Sequence, residues 1–140
     1  MSANKIVYHD LSYRLVGLMF KVYNNLGYGL QEKYYQRAFR EELEKTGLIY
    51  QRELSCPINY NGKNIGRYYL DFLIENKIVI ELKVARDFYA RHLKQVLSYL
   101  KKTKLKLGIV AIFTSEGLKY KRVLNIRKDL YKPIRNDSRS

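Results

Sequence analysis

The sequence predicts a single α/β domain whose elements follow the order α-α-β-β-β-α-β-β. Apolar residues recur at helical spacing through the first third of the chain and again after residue 88. Between these segments, β-branched runs are separated by polar turn signals, and a continuous apolar run spans residues 107–113. At 140 residues the chain is long enough for one core but too short for two. We therefore expect a flexible start over residues 1–9, one domain over 10–126 and a basic tail over 127–140.

Turn and cap signals place the individual elements. The first helix is predicted to begin at Asp10 or Ser12, which are suitable N-caps, and to end at Gly27. Asn61-Gly62 is the strongest hairpin signal, and Pro57 indicates that the strand before this turn is an edge strand or contains a bulge. The other predicted elements are helices over about residues 31–46 and 88–102, and strands over about residues 49–60, 64–74, 77–84, 107–113 and 120–126.

The charge balance is strongly basic. Lysine and arginine number 27 against 13 aspartate and glutamate, which gives a formal net charge of +14. Such an excess favours a polyanionic partner, with nucleic acid first, an anionic membrane surface second, and a solvated basic surface without a partner as the alternative. No apolar run approaches the roughly 20 residues of a membrane span. The residues expected to contact phosphates are Lys33, Arg37, Arg86, Arg91, Lys94, Lys101, Lys102, Lys104 and Lys106.

Cysteine and histidine are scarce. The single cysteine, Cys56, excludes an internal disulfide and a cysteine-based zinc cluster, and two histidines disfavour an all-protein zinc site. The first ten residues lack the apolar core of a signal peptide. These observations predict a reducing, cytoplasmic compartment.

Acidic residues interrupt two apolar strands of the predicted hairpin over residues 68–84. Asp71 lies on the first strand, and Glu81 and Lys83 alternate with apolar residues on the second. Carboxylates gathered on one side of a sheet are costly to bury unless a metal or a partner compensates them. A shared site requires Asp71 to lie opposite Glu81, because directly opposed residues of an antiparallel pair point to the same face. The simplest solution is a three-residue loop at 75–77, most often a type I turn followed by a left-handed residue.

These residue types suit the hydrolysis of phosphodiesters. Mg²⁺ is a hard ion that takes carboxylate and carbonyl oxygens and retains several waters, and Asp71, Glu81 and the Leu82 carbonyl form a partial cage for it. Lys83 is a compact cation that can hold a water or a phosphate on the same face. The spacing D-x9-E-x-K alone is a weak signal. Glu32 adds to it because it lies on the inward stripe of the second helix, although a glutamate in a first turn also serves as a partner of the helix dipole.

Taken together, the motifs resemble those of a known family. Residues 29–35 match G-x-x-E-x-x-Y, and they are followed in order by Asp71, by residues 81–83 as E-L-K, and by Gln95 with Tyr99. The chain thus resembles the GxxExxY family, a branch of the PD-(D/E)XK nuclease-like superfamily, although Leu70 stands where the naming proline precedes Asp71.

The resemblance implies a restriction-endonuclease-like core with a mixed sheet flanked by helices. It further implies that Asp71 and Glu81 are metal ligands and that Lys83 is the catalytic lysine. Glu32 would ligate through water or a second metal, and Gln95 would orient the site.

These inferences predict a Mg²⁺- or Mn²⁺-dependent endonuclease that acts on nucleic acid, with DNA favoured over RNA. Two other functions remain open on the same fold. One is a non-catalytic nucleic-acid-binding module, and the other is a regulatory or interaction domain whose acids are structural. A homodimer is compatible with the sequence.

Overall fold

The structure is a computed structural model that describes residues 7–126. Its element order is the predicted one, α-α-β-β-β-α-β-β. The predicted tail over residues 127–140, and most of the predicted flexible start, lie outside the described residues. The elements are α1 (His9–Leu26), α2 (Glu32–Thr46), β1 (Tyr50–Tyr60), β2 (Lys63–Ile74), β3 (Ile78–Val84), α3 (Ala90–Thr103), β4 (Leu107–Thr114) and β5 (Gly117–Leu124).

The strands form one five-stranded mixed sheet in the order β1-β2-β3-β4-β5. All neighbours are antiparallel except β3 and β4, which are parallel and are joined by α3 as the crossover. β1 is an edge strand, as Pro57 predicted, and its register with β2 shifts between Ile58 and Asn59. No helix of the described part of the chain is long and apolar enough to cross a bilayer.

Helices cover both faces of the sheet. Buried side chains of α1 and α2 pack on one face, where Tyr35 stacks on Phe113 with ring centroids 4.1 Å apart. On the other face Val96 and Leu100 of α3 pack against Val79 and its neighbours. This arrangement confirms the predicted mixed sheet flanked by helices. The packing brings the segment after β3 close to the start of α2, at the end of β3 where Val84 lies.

The predicted limits of two elements are wrong. Helix α1 begins at His9, and Tyr8 in the left-handed region precedes it without a side-chain cap. Ser12 does not cap the helix because it is buried and its hydroxyl accepts a hydrogen bond from Arg122. Strand β5 begins at Gly117, not near residue 120, because a tight turn follows β4 at once. In that turn the Thr114 hydroxyl donates to the Gly117 carbonyl at 2.8 Å.

The turn between β2 and β3 has the predicted length. Ile74 pairs with Ile78, so the loop contains three residues and the register is the one that a shared site requires. Its conformation differs from the predicted type I turn, because Glu75 and Asn76 both have positive φ, at 55° and 54°. Positive φ at both central positions gives the turn a twist that matches the flanking strands.

Gly108 of β4 allows the close approach of α3 to the sheet. A Cβ atom at this position would lie 2.5 Å from Cγ1 of Val96, which is buried and, as a β-branched residue on a helix, has little rotamer freedom. We predict that Gly108→Ala lowers the melting temperature by roughly 3–10 °C, which corresponds to an overpacking cost of about 1–3 kcal/mol.

Gly17→Ala is the matched control, because a Cβ atom at Gly17 of α1 meets nothing within 4 Å. It should leave the melting temperature unchanged or raise it, since alanine stabilises a helix interior by about 0.5–1 kcal/mol over glycine. Equal melting temperatures for Gly108→Ala and the wild type would contradict the packing described here.

Candidate active site

Strands β2 and β3 separate at the position of the two acids. Their paired register covers Phe72–Ile74 and Ile78–Ile80. At the next position carboxylates take the place of the strand ladder: the Asp71 amide donates to Oε1 of Glu81 at 2.9 Å, and the Leu82 amide donates to Oδ2 of Asp71 at 2.8 Å. Each acid is therefore fixed by the backbone of the opposite strand. The two carboxylates converge, as the catalytic interpretation requires.

The alternation of side chains between the two faces of β2 is interrupted at Asp71. Phe72 packs in the core with α1 and α2, whereas Leu70 packs in the cluster with α3. Residues two apart on a regular strand lie on the same face, so the chain reverses its faces between them. The matching interruption on β1 lies at Glu53, whose φ is 55°. Asp71 is thus directed into the cleft beside α2 and away from either core cluster.

Glu32 reaches the same cleft from the first residue of α2. Its Oε1 accepts a hydrogen bond from the Val84 amide at 3.1 Å, and its Oε2 lies 3.7 Å from Nζ of Lys83. Nζ of Lys83 also lies 3.4 Å from Oε2 of Glu81, so the lysine bridges the helical acid and the strand acid. The structure thus brings together four of the predicted site residues, which are Glu32, Asp71, Glu81 and Lys83.

Tyr35 fixes the chain segment that delivers Glu32. Its hydroxyl donates to the Gly27 carbonyl at 2.6 Å and accepts from the Leu30 amide at 3.3 Å. Gly27 and Gly29 have φ 70° and 119°, a region that favours glycine. The G-x-x-E-x-x-Y pattern therefore has a structural basis: the glycine permits the loop, the tyrosine closes it, and the glutamate begins the helix.

Gln36 is a member of the site that the sequence analysis missed. Its Nε2 donates to Oδ1 of Asp71 at 3.0 Å and to Oε2 of Glu32 at 3.4 Å. Gln36 lies one helical turn after Glu32 and shares its face, which is the signal that identifies it in retrospect. The amide holds the two acids at a fixed separation.

The orienting role that the resemblance implies for Gln95 stays a prediction. Its backbone carbonyl accepts a hydrogen bond from the Tyr68 hydroxyl at 3.0 Å, which ties α3 to β2. Within residues 7–126 no hydrogen bond joins its side chain to the acids or to Lys83. His92 lies one turn earlier on α3, where burial and the charge of Lys83 lower its pKa.

The environment makes both strand acids hard to ionise. Burial raises the pKa of Glu81 to about 8, and the charge of Asp71 adds to the effect while Lys83 opposes it. Burial likewise raises the pKa of Asp71 to about 6, against the lowering effect of the hydrogen bond from the Leu82 amide. Burial alone would lower the pKa of Lys83, but the charges of Glu81 and Glu32 outweigh it and the pKa is raised.

The donor set fits a hard cation that keeps part of its water shell. One carboxylate oxygen of Asp71 and one of Glu81 accept a hydrogen bond from a backbone amide. The second oxygen of Asp71 accepts from Gln36, and the second oxygen of Glu81 faces Lys83. In the described part of the chain no group of three or more histidine, cysteine, aspartate or glutamate side chains is arranged to enclose a metal. Mg²⁺ does not need such a cage, because it commonly binds through one or two carboxylates and retained waters. The ligand role of the Leu82 carbonyl stays a prediction.

The raised pKa of Glu81 predicts a pH-dependent cost in the metal-free protein. The ordinary pKa is 4.5 and the folded value is about 8, so the stability present below about pH 4.5 is lost as the pH rises towards 8. Glu81→Gln removes this loss and keeps an amide oxygen for the Asp71 amide. At pH 8 in EDTA we expect the variant to melt roughly 3–8 °C above the wild type, with the difference shrinking towards pH 4.5.

The matched control is Glu116→Gln at an exposed carboxylate, whose melting temperature should follow the wild type at every pH. Thermal melting in a pH series measures both variants. A Glu81→Gln variant that melts below the wild type at pH 8 would contradict the buried-charge account.

Comparison with known proteins agrees with the fold. A family model described as the PD-(D/E)XK nuclease superfamily matches residues 9–123. Among solved structures, the crystal structure of a protein named SSO0001 superposes with a TM-score of 0.51 at 20% sequence identity, over 69% of this chain and 51% of that one. The chain thus spans about half the length of that protein, and the likeness concerns the fold alone. No curated protein gives a significant match. Because the superfamily model covers most of the chain, this protein belongs to the PD-(D/E)XK nuclease superfamily.

Proposed function

We propose that this protein is a Mg²⁺-dependent endonuclease that hydrolyses phosphodiester bonds in DNA, and that it belongs to the GxxExxY branch of its superfamily. The observation that carries the proposal is the convergence of Asp71, Glu81 and Lys83 where β2 and β3 separate. A buried pair of acids with raised pKa beside a lysine is typical of sites that handle charge. Superfamily membership supports the same chemistry.

The proposed metal ligands are the second carboxylate oxygens of Asp71 and Glu81 together with the Leu82 carbonyl. Glu32 would act through a retained water, because Val84 and Lys83 already engage its two oxygens. A bound Mg²⁺ supplies charge stabilisation for the phosphate and an acidified water. Gln36 keeps Asp71 and Glu32 apart and oriented, and it is a proposed positioning residue in addition to Gln95.

Lys83 has a double role in this proposal. In the metal-free protein it neutralises Glu81 and Glu32, at 3.4 and 3.7 Å. Where a cation takes over the compensation of the acids, Lys83 would be the residue that holds a water or a phosphate oxygen, as a compact and strongly hydrated donor. Its raised pKa keeps it charged at neutral pH.

The substrate class follows from charge. A net charge of +14 favours a polyanion, and lysines and arginines outside the site contact phosphates without reading bases. Among the predicted phosphate contacts, Lys102 also donates to the Pro57 carbonyl at 3.2 Å and so connects the β1–β2 hairpin to α3. We further propose that the protein acts in the cytoplasm and that Mn²⁺ can replace Mg²⁺.

Asp71→Asn and Glu81→Gln should each lower cleavage at least about 100-fold, because the cation loses an anionic oxygen. Binding to DNA should survive or tighten, since a negative charge beside the phosphate is removed. Cleavage of labelled single-stranded, nicked, branched and duplex DNA with Mg²⁺, Mn²⁺ or EDTA measures the first effect, and fluorescence anisotropy measures the second.

Asp10→Asn and Glu116→Gln are the controls for this series, since both acids are exposed and lie outside the site. They should cleave at the wild-type rate. A wild-type protein that binds every substrate but cleaves none in either metal would instead support the non-catalytic binding module.

Lys83→Arg and Lys83→Ala separate catalysis from charge compensation. Lys83→Arg keeps a positive charge near Glu81 and Glu32, so the melting temperature of this variant should stay within a few degrees of the wild type. The planar guanidinium of arginine does not replace a compact ammonium in the reaction. The Lys83→Ala variant leaves the buried Glu81 and the partly buried Glu32 without their cation, and it should also melt lower. We expect both variants to lose cleavage, measured on the best substrate of the panel, and Mn²⁺ still to raise both melting temperatures. Wild-type cleavage by either variant would remove Lys83 from the mechanism.

A further inference from the structure

Arg52 lies beside the proposed active site, and one of its nitrogens has no hydrogen-bond partner among residues 7–126. It lies on β1 opposite Phe72, and its guanidinium carbon is 5.1 Å from the centroid of the Phe72 ring. Its Nε is buried and has no hydrogen-bond partner, and within residues 7–126 its guanidinium forms no ion pair. Buried polar atoms are normally satisfied, so the unsatisfied Nε of Arg52 is an observation that a ligand would explain.

The cavity next to Arg52 opens from the active site itself. It has a volume of about 250 Å³ and is lined by Gln36, Arg52, Glu53, Tyr69, Leu70 and Asp71. Asp71 and Gln36 belong to the cluster of acids, so the cavity and the proposed metal ligands share a wall. The volume lies just below the range of about 300–1,000 Å³ of small-molecule sites. It suits one nucleotide but not a base pair within a duplex.

An exposed aromatic residue borders the same cavity. Tyr68 and Tyr69 point to opposite sides of β2: the Tyr68 hydroxyl bonds to α3, whereas the Tyr69 side chain is 55% exposed on the open face of the hairpin. Arg67 lies two residues further along that face, and its guanidinium bonds to Ser55 opposite Tyr69. Along the hairpin, Arg52 lies level with Phe72 on one side of Asp71, and Tyr69 and Arg67 follow on the other side.

We propose that this cavity is a subsite for an unpaired nucleotide next to the scissile phosphate. Arg52 binds the phosphate of that nucleotide through paired N–H groups, and Tyr69 stacks on its base. Arg67 contacts the following phosphate. The substrate class is therefore single-stranded nucleic acid, or the unpaired segment of a branched or flapped duplex, in preference to an intact duplex. The inference rests on the proposed function for its substrate, but its test measures binding alone.

Binding is measured by fluorescence anisotropy on the full chain in EDTA, where no metal is available for cleavage. The probes are a labelled DNA single strand of about 12 nucleotides and a blunt duplex of the same sequence. We expect the wild type to bind the single strand at least about tenfold more tightly. Tyr69→Ala should weaken single-strand binding by roughly 5- to 100-fold and Tyr69→Phe by less than about twofold, because stacking needs the ring and not the hydroxyl.

Arg52→Met should weaken single-strand binding by roughly tenfold or more and duplex binding by less than about twofold. Arg52→Lys keeps the charge without the planar fork and should give an intermediate loss; it serves in place of Arg52→Met if that variant does not fold. The matched controls are Arg14→Met and Tyr13→Ala on the exposed face of α1, which should not change the preference between the probes.

Equal affinity of the wild type for the two probes would overturn the subsite, even if the protein cleaves DNA. So would Tyr69→Ala and Arg52 variants that weaken both probes by the same factor, because that result indicates only general electrostatic binding. A single-strand preference that depends on Tyr69 and Arg52, in a protein that cleaves nothing with Mg²⁺ or Mn²⁺, would support the subsite and overturn the nuclease.

Discussion

The separation of β2 from β3 is the constraint on which the rest of the site depends. Backbone amides inside a sheet must find acceptors, and at Asp71 and Leu82 the acceptors are carboxylates of the opposite strands. Each acid thereby has one oxygen committed to the fold and one directed to the cleft. The side chains are held by the main chain of their neighbours and not by their own rotamer preferences. Such anchoring gives a site its precision before any ligand arrives.

This arrangement places like charges in a poorly solvated position, and the surrounding residues offset only part of the cost. The pKa values of Asp71 and Glu81 both rise, although Lys83 and the backbone amides favour the ionised forms. Gln36 contacts the second carboxylate oxygen of Asp71, and Lys83 contacts that of Glu81. These two oxygens are the ones that a bound cation would attract. A structural ion pair would balance its charges within the protein, whereas this cluster has three carboxylates and one lysine. The excess negative charge inside a strongly basic protein is the physical argument for a divalent cation.

The sequence predicts most of the fold, and it predicts the grouping of Asp71 with Glu81, for specific reasons. The α-helices and strands were recognisable because their apolar periodicity is uninterrupted, and the relation between Asp71 and Glu81 followed from the requirement that opposed residues share a face. The glutamate of α2 was identified by its position on the inward stripe. Its precise contact with the Val84 amide was not, because it depends on how α2 docks against the end of β3.

What the sequence could not give were contacts between elements that are distant along the chain. Gln36 was overlooked because glutamine on a helix surface is ordinary, and only the docked position of α2 brings its amide to Asp71. The motif predicts an orienting role for Gln95, which stays a prediction; the contact of its backbone carbonyl with Tyr68 of β2 depends on how α3 packs on the sheet. The predicted start of α1 is wrong because the buried Ser12 hydroxyl accepts a hydrogen bond from Arg122 and does not cap the helix.

A single irregularity in the β1–β2 hairpin connects the acids to the neighbouring cavity. Glu53 adopts positive φ and the faces of both strands reverse between Arg52–Phe72 and Leu54–Leu70. One consequence is that Asp71 leaves the regular alternation and reaches α2. The other is that Arg52, on the core side of the reversal, and Tyr69, on the open side, come to line one space. Neither residue would border the acids on a flat hairpin, so the same distortion that directs the carboxylate also creates the surface beside it.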